Sequence, residues 1–122
     1  MAKTPITDAG HTDLRAYIMA TWLWFEVRDE EETPILRIEI DDDPRVTWSE
    51  DGEVLKVTCT LSGDDEEMGD VEETPVTVQY TAIFKGEVGG DALDLKEIVP
   101  FTFLNDSDEL VIEHYVEVPL QA

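Results

Sequence analysis

The stretch RVTWSEDGEVLKVTCTL, residues 45–61, leaves the least freedom to whatever fold this chain adopts. Val46 and Trp48 alternate with polar residues, as do Leu55, Val57, Cys59 and Leu61, so each run has one apolar face. Asp51-Gly52 between two such runs predicts a hairpin closed by a two-residue type I′ turn, whose central positions both need positive φ. The predicted register sets Trp48 opposite Leu55 and Val46 opposite Val57. A hairpin with an apolar face must bury it against another layer, so the chain has to supply further strands.

It does so repeatedly. In ILRIEI (35–40), Leu36, Ile38 and Ile40 face one way and Arg37 and Glu39 the other. Pro34 opens that run and DDDP closes it. PVTVQYTAIFKG predicts a strand with Val76, Val78, Tyr80, Ala82 and Phe84 on one face. In EVGGDALDLKEIV, Gly89-Gly90 marks a loop and a turn of helix could start at Asp91. PFTFL and LVIEHYVEV, joined by NDSDE, read as a second hairpin, while GDDEEMGDVEET (63–74) reads as a mobile acidic loop. The fold class that follows is mainly β: six or seven strands in a sandwich or barrel-like antiparallel sheet, with at most one or two short helices.

AYIMATWLWF (16–25) is a ten-residue run without a charge. A membrane-spanning helix needs about twenty apolar residues, so a membrane anchor is not expected. As a strand, the segment has two apolar faces, Tyr17, Met19, Leu23 and Phe25 on one and Ile18, Trp22 and Trp24 on the other. Such a strand is covered on both sides. As a helix, Leu14, Tyr17, Ile18, Thr21 and Phe25 share a stripe that Thr12 or Asp13 could cap. The aromatic and β-branched content from Thr21 onward favours strand, so a short helix turning into a strand near Thr21 reconciles the two. Residues 1–13 read as an extended N-terminal arm and 14–122 as a single β-rich domain, since 122 residues suit one core and not two. The opening residues hold no apolar stretch, so no secretory leader is expected.

Thirty Asp and Glu stand against eight Lys and Arg, a formal net charge of −22. The basic residues are scattered and form no patch, so direct binding to nucleic acid or to an anionic membrane is disfavoured. Three physical accounts produce such a balance: life in high salt, mimicry of a nucleic acid by carboxylates, and plain solubility. The carboxylates occupy nearly every loop, which fits adaptation of a whole surface to salt.

Chemistry-bearing constellations are few. A single cysteine, Cys59, excludes an internal disulfide, and its place in an alternating run marks it as a buried small residue. His11 and His114 lie far apart with no metal-ligand spacing, and His114 reads as a strand histidine at a sheet edge. The clusters at 41–43, 64–67 and 105–109 do not match a calcium loop, so only diffuse cation association is expected there, with no cofactor and no specific metal. No residue set stands out as catalytic, and with thirty carboxylates any close acidic pair is expected by chance.

Two segments resemble known families. GHTDLRAYIMATW (10–22) is similar to the opening helix of tail-terminator proteins of long-tailed phages. That resemblance implies a helix preceding a sheet, a hexameric ring, and a place joining tail to head. TPVTVQYTAIFKGEV, after ILRIEI and VLKVTCTL, resembles the strand succession of SecB-like chaperones, which implies an acidic tetramer binding unfolded chains on apolar grooves. The expectation that follows is a non-enzymatic structural or assembly protein. It would be a virion component at the head–tail junction or tail of a virus of a halophilic host, acting by ring or shell assembly. The alternatives are an acidic chaperone and a nucleic-acid-mimic inhibitor. Tyr17, Trp22, Trp24 and Phe25, with Thr4, Pro5 and Thr12 of the arm, are the expected contacts to other copies or to other virion proteins. The expected location is the virion, or the cytoplasm if the protein is not viral.

Overall fold

A computed structural model of the protein describes residues 7–51 and 54–117. Its first element is helix α1 (Asp8–Thr21), where the side chain of Thr7 accepts a hydrogen bond from Gly10 N at 3.1 Å and Asp8 complements the positive end of the helix. His11, Arg15 and Ile18 recur at helical spacing and are its buried residues. The helix ends where Trp22 N–H reaches Ile18 O, and the chain then extends into a strand. The reading of helix turning into strand near Thr21 matches this. The arm does not reach residue 13: residues 8–13 are helix, because Thr7 supplies a cap ahead of Thr12 and Asp13. Thr4 and Pro5 lie outside the described residues.

Seven strands follow: β1 (Trp24–Arg28), β2 (Pro34–Glu39), β3 (Val46–Asp51), β4 (Val54–Ser62), β5 (Val76–Phe84), β6 (Asp94–Phe103) and β7 (Glu109–Glu117). They form two antiparallel sheets, β2-β1-β5-β6 and β3-β4-β7. The protein is therefore mainly β, as its alternating runs require. The core lies between the sheets, with Phe25, Val27 and Ile83 of one sheet meeting Leu55, Val57 and Leu61 of the other.

Five local readings change. β3 pairs with β4 so that Trp48 faces Val57 and Val46 faces Cys59, two residues along from the predicted register. A shift of two keeps the same apolar face inward, so alternation cannot distinguish the registers. Asp51 pairs with Val54, and the predicted turn at Asp51-Gly52 falls partly outside the described residues. In β5, an irregularity between Val78 and Tyr80 resets the phase. Beyond it Thr81 and Ile83 face the core, while Tyr80, Ala82 and Phe84 face the other way.

The stretch from Asp91 forms no helix; Asp94 onward is strand β6, whose edge carries Lys96 and Pro100, both of which discourage pairing with a further strand. β6 and β7 do not pair as a hairpin. β7 instead crosses to β4, which it matches from Glu109 to Glu117. The crossing turn is built by Asp108, whose carboxylate accepts from Leu104 N at 2.8 Å and Asn105 N at 3.0 Å. The acidic loop before β5 is anchored, since Met68 and Val71 are buried in the core and a 3₁₀ turn spans Glu66–Met68.

Candidate functional site

The loops 29–33, 63–75 and 104–108 gather at one end of the sandwich. Gly63 N donates to Asp108 O, and an open cleft of about 310 Å³ is lined by Pro34, Ile35, Pro75 and Val76 together with Asp29, Glu30 and Glu67. Just behind this end, Arg45 collects three carboxylates: Asp43 at 2.8 Å, Glu67 at 2.9 Å and Asp65 at 3.5 Å. Hydrogen bonds from Arg45 hold the Asp43 and Glu67 carboxyl groups below the usual carboxylate range, and the same bonds push the guanidinium pKa up. The positive charge in this cluster comes from the protein itself. Among the described residues no group of three or more His, Cys, Asp or Glu side chains comes together as a metal site.

A second polar cluster lies in the core. His114 on β7 places Nε2 2.6 Å from Asp94 Oδ2 and Nδ1 2.7 Å from Thr81 Oγ1. Nε2–H donates to the carboxylate, which leaves Nδ1 to accept the Thr81 hydroxyl proton when the ring is neutral. The edge of Phe25 packs against the imidazole, centroid to centroid 5.9 Å at 80°. The order carboxylate–imidazole–hydroxyl is that of a nucleophile relay, but Thr81 is fully enclosed, so no substrate reaches its oxygen. The cluster joins the two sheets. The sequence signal was present: His114 falls in phase with buried Ile112 and Val116, and Thr81 sits alone among apolar neighbours of β5.

The outward face of the four-stranded sheet carries a third cluster. Glu26 is 3% exposed and bonds Arg28 Nε at 2.6 Å and Arg37 Nε at 3.0 Å. The Arg37 guanidinium lies 3.5 Å from the Phe84 ring centroid and also donates to Gly86 O and Gly89 O. Arg37 thereby straps the loop after β5 over this face, and Ala82 and Phe84 are buried beneath it. Alternation placed Arg37 and Glu39 on the outward face without showing this strap.

The expected contact residues are dispersed. Phe25 has no accessible surface and belongs to the core, because β1 is the central strand whose Phe25 and Val27 face the other sheet. Trp22 is half-buried, and its carbonyl accepts the Trp48 indole N–H at 2.8 Å. Trp24 is half-buried on the strapped face, opposite Phe84 in register. Tyr17 is 52% exposed, with its hydroxyl 3.2 Å from Lys85 Nζ, whose hydrogen bond lowers the phenol pKa. Thr12 is exposed on the helix and accepts from Arg15 Nη2. Cys59 is buried, and desolvation pushes its thiol up to about 12. Among the described residues no helix is long and apolar enough to cross a membrane.

The geometry defines a two-sheet β protein with a strapped outer face on one sheet, an outer face on the other that no described element covers, and an acidic end. Protein-family models, curated proteins and solved structures were compared with the chain, and none matches.

Proposed function

We propose that the chain is a non-enzymatic structural or assembly protein, a virion component at the tail or head–tail junction of a virus whose host lives in high salt. It works as a subunit of a ring or shell. One observation carries this reading: the edge strands β6 and β7 expose large apolar side chains, Leu95 and Val99 from one sheet and Val111 and Tyr115 from the other, in a chain of thirty carboxylates. Large apolar side chains exposed on a charged surface favour a protein contact. The non-enzymatic part of the proposal is supported by where the reactive groups lie. His114 is bonded at both nitrogens inside the core, and the Cys59 thiol is buried and stays protonated.

Sizing in molar salt tests the reading. Oligomers are expected that dissociate on dilution into low salt, where repulsion among carboxylates is unscreened. A protein monomeric at every salt concentration overturns self-assembly.

A second reading, an acidic chaperone for unfolded chains, draws support from Val88 and Leu93, exposed beside the strapped loop. Binding to a permanently unfolded polypeptide tests it, and no binding at the highest soluble concentration removes it.

A further inference from the structure

The two sheets treat their outer faces differently. The four-stranded sheet buries Glu26, Ala82 and Phe84 under its own loop through Arg37. On the three-stranded sheet, the outward positions of β4 are half-exposed, those of β7 are exposed, and no described element lies over them. The pairing places Lys56 beside Tyr115, Thr58 beside Glu113 and Thr60 beside Val111 on that face. From Val54 to Ser62, β4 offers it no carboxylate at all. The one carboxylate at its middle, Glu113, is matched by Lys56 at 2.9 Å, and that hydrogen bond holds the Glu113 carboxyl below its usual range.

Resting on the assembly reading above, we propose that this face is the contact between two copies of the chain, related by a twofold axis. Charge selects the occupant. A second copy carries the same −22, so two copies approach most closely where each is nearly neutral, and the middle of this face is such a place, with Glu109 and Glu117 only at its two ends. A basic partner would seek the acidic end instead. A twofold contact must also be self-complementary, each residue type meeting what its partner presents. At the middle of the face, one cation and one anion flanked by hydroxyls, with Val111 and Tyr115 alongside, meet that condition: turned by half a revolution, Lys56 of one copy faces Glu113 of the other.

Three strands about 4.8 Å apart and nine residues at about 3.4 Å give a face of roughly 400 Å² per copy. That is below the roughly 800 Å² per partner of a standard stable pair, so the contact is weak alone and holds where many copies act together.

The experiment is sedimentation of the full chain over a wide concentration range in about 1 M salt, where the screening length falls to about 3 Å. Lys56→Glu is expected to weaken association roughly tenfold or more, because like charges set against each other cost several kcal/mol. The exchange Lys56→Glu with Glu113→Lys is expected to restore it to within about threefold, since the pairs re-form in reverse. Thr58→Glu, or Val111→Glu if the first does not fold, is expected to abolish it. Val88→Glu adds the same charge on the strapped loop of the other sheet, where Val88 is exposed, and should change nothing. A wild type that never associates refutes the assembly reading itself. A wild type that associates equally well with Thr58→Glu, Val111→Glu and Lys56→Glu refutes this face and leaves assembly standing. Failure of the exchange to rescue refutes the twofold pairing.

Discussion

His114 Nε2 donates to Asp94 Oδ2 at 2.6 Å, which joins an edge strand of one sheet to an edge strand of the other. The opposite ring nitrogen meets Thr81 on β5, so a single side chain satisfies polar groups from both layers. Thr81→Val leaves Nδ1 buried without a partner and is expected to cost about 1–3 kcal/mol, whereas Thr81→Ser keeps the hydroxyl and should cost clearly less. Urea unfolding of the two variants checks the order. Equal midpoints would remove the hydrogen bond from the account of how the sheets are held.

Arg45 makes the acidic end dependent on pH in a definite direction. The folded pKa values of Asp43 and Glu67 are depressed, so their contribution is complete above the unfolded carboxylate range and is lost as pH falls through the folded values. With these groups partly open to solvent, the contribution is about 1 kcal/mol after screening. Arg45→Ala reverses the trend. Asp43, Asp65 and Glu67 are then left to repel one another, so the variant regains stability relative to wild type between about pH 5 and pH 3. Added salt should also narrow the gap. Thermal melts across pH and salt measure both effects, and a variant that tracks wild type at every pH contradicts the assignment.

Gly63 sits against the turn between β6 and β7, where an added Cβ would collide with the Asn105 carbonyl. Because the obstacle is backbone, Gly63→Ala has to displace the turn, at an expected cost of about 1–3 kcal/mol. An alanine variant with unchanged stability in denaturant would mean that the turn yields freely.

The Cys59 thiol, pushed up to about 12 by burial, has almost no thiolate at neutral pH. A thiol reagent such as a disulfide-exchange dye should label it only when the chain unfolds. Labelling of the native protein at the rate of a free thiol would show that β4 opens locally.

The strands were legible because one face of most of them is buried, which writes itself as period two in β2, β4 and β7. What stayed hidden was relational. Alternation is blind to a two-residue slip, so the partner of Trp48 was displaced from Leu55 to Val57. It is equally blind to an irregularity in mid-strand, so it sets Val76 and Val78 on one face with Tyr80 and Phe84, which turn away from the core that Thr81 and Ile83 face. Whether consecutive strands share a sheet depends on long-range packing, and β7 paired with β4 rather than with its neighbour in sequence. The candidate site suffered most. The aromatic segment looked equally suited to core and contact, and only three-dimensional burial separated enclosed Phe25 from exposed Tyr17. The outer face of β4 and β7, bare among the described residues, is written in threonines, glutamates and one ion pair, which carry no motif.

All four arginines point back into the molecule: Arg15 to Glu50, Arg28 and Arg37 to Glu26, and Arg45 to its three carboxylates. The fold thus sorts its charges into two populations, sheltered arginine pairs that bind opposite signs and an outer shell in which carboxylates far outnumber lysines. Ionic strength and acidity act on different members of that division. Removing salt lengthens the reach of the outer shell while hardly touching the sheltered pairs; acid releases Asp43 and Glu67 from Arg45 only below the usual carboxylate range. Under the assembly proposed above, dilute salt parts copy from copy, while acid loosens the loops that Arg45 ties together.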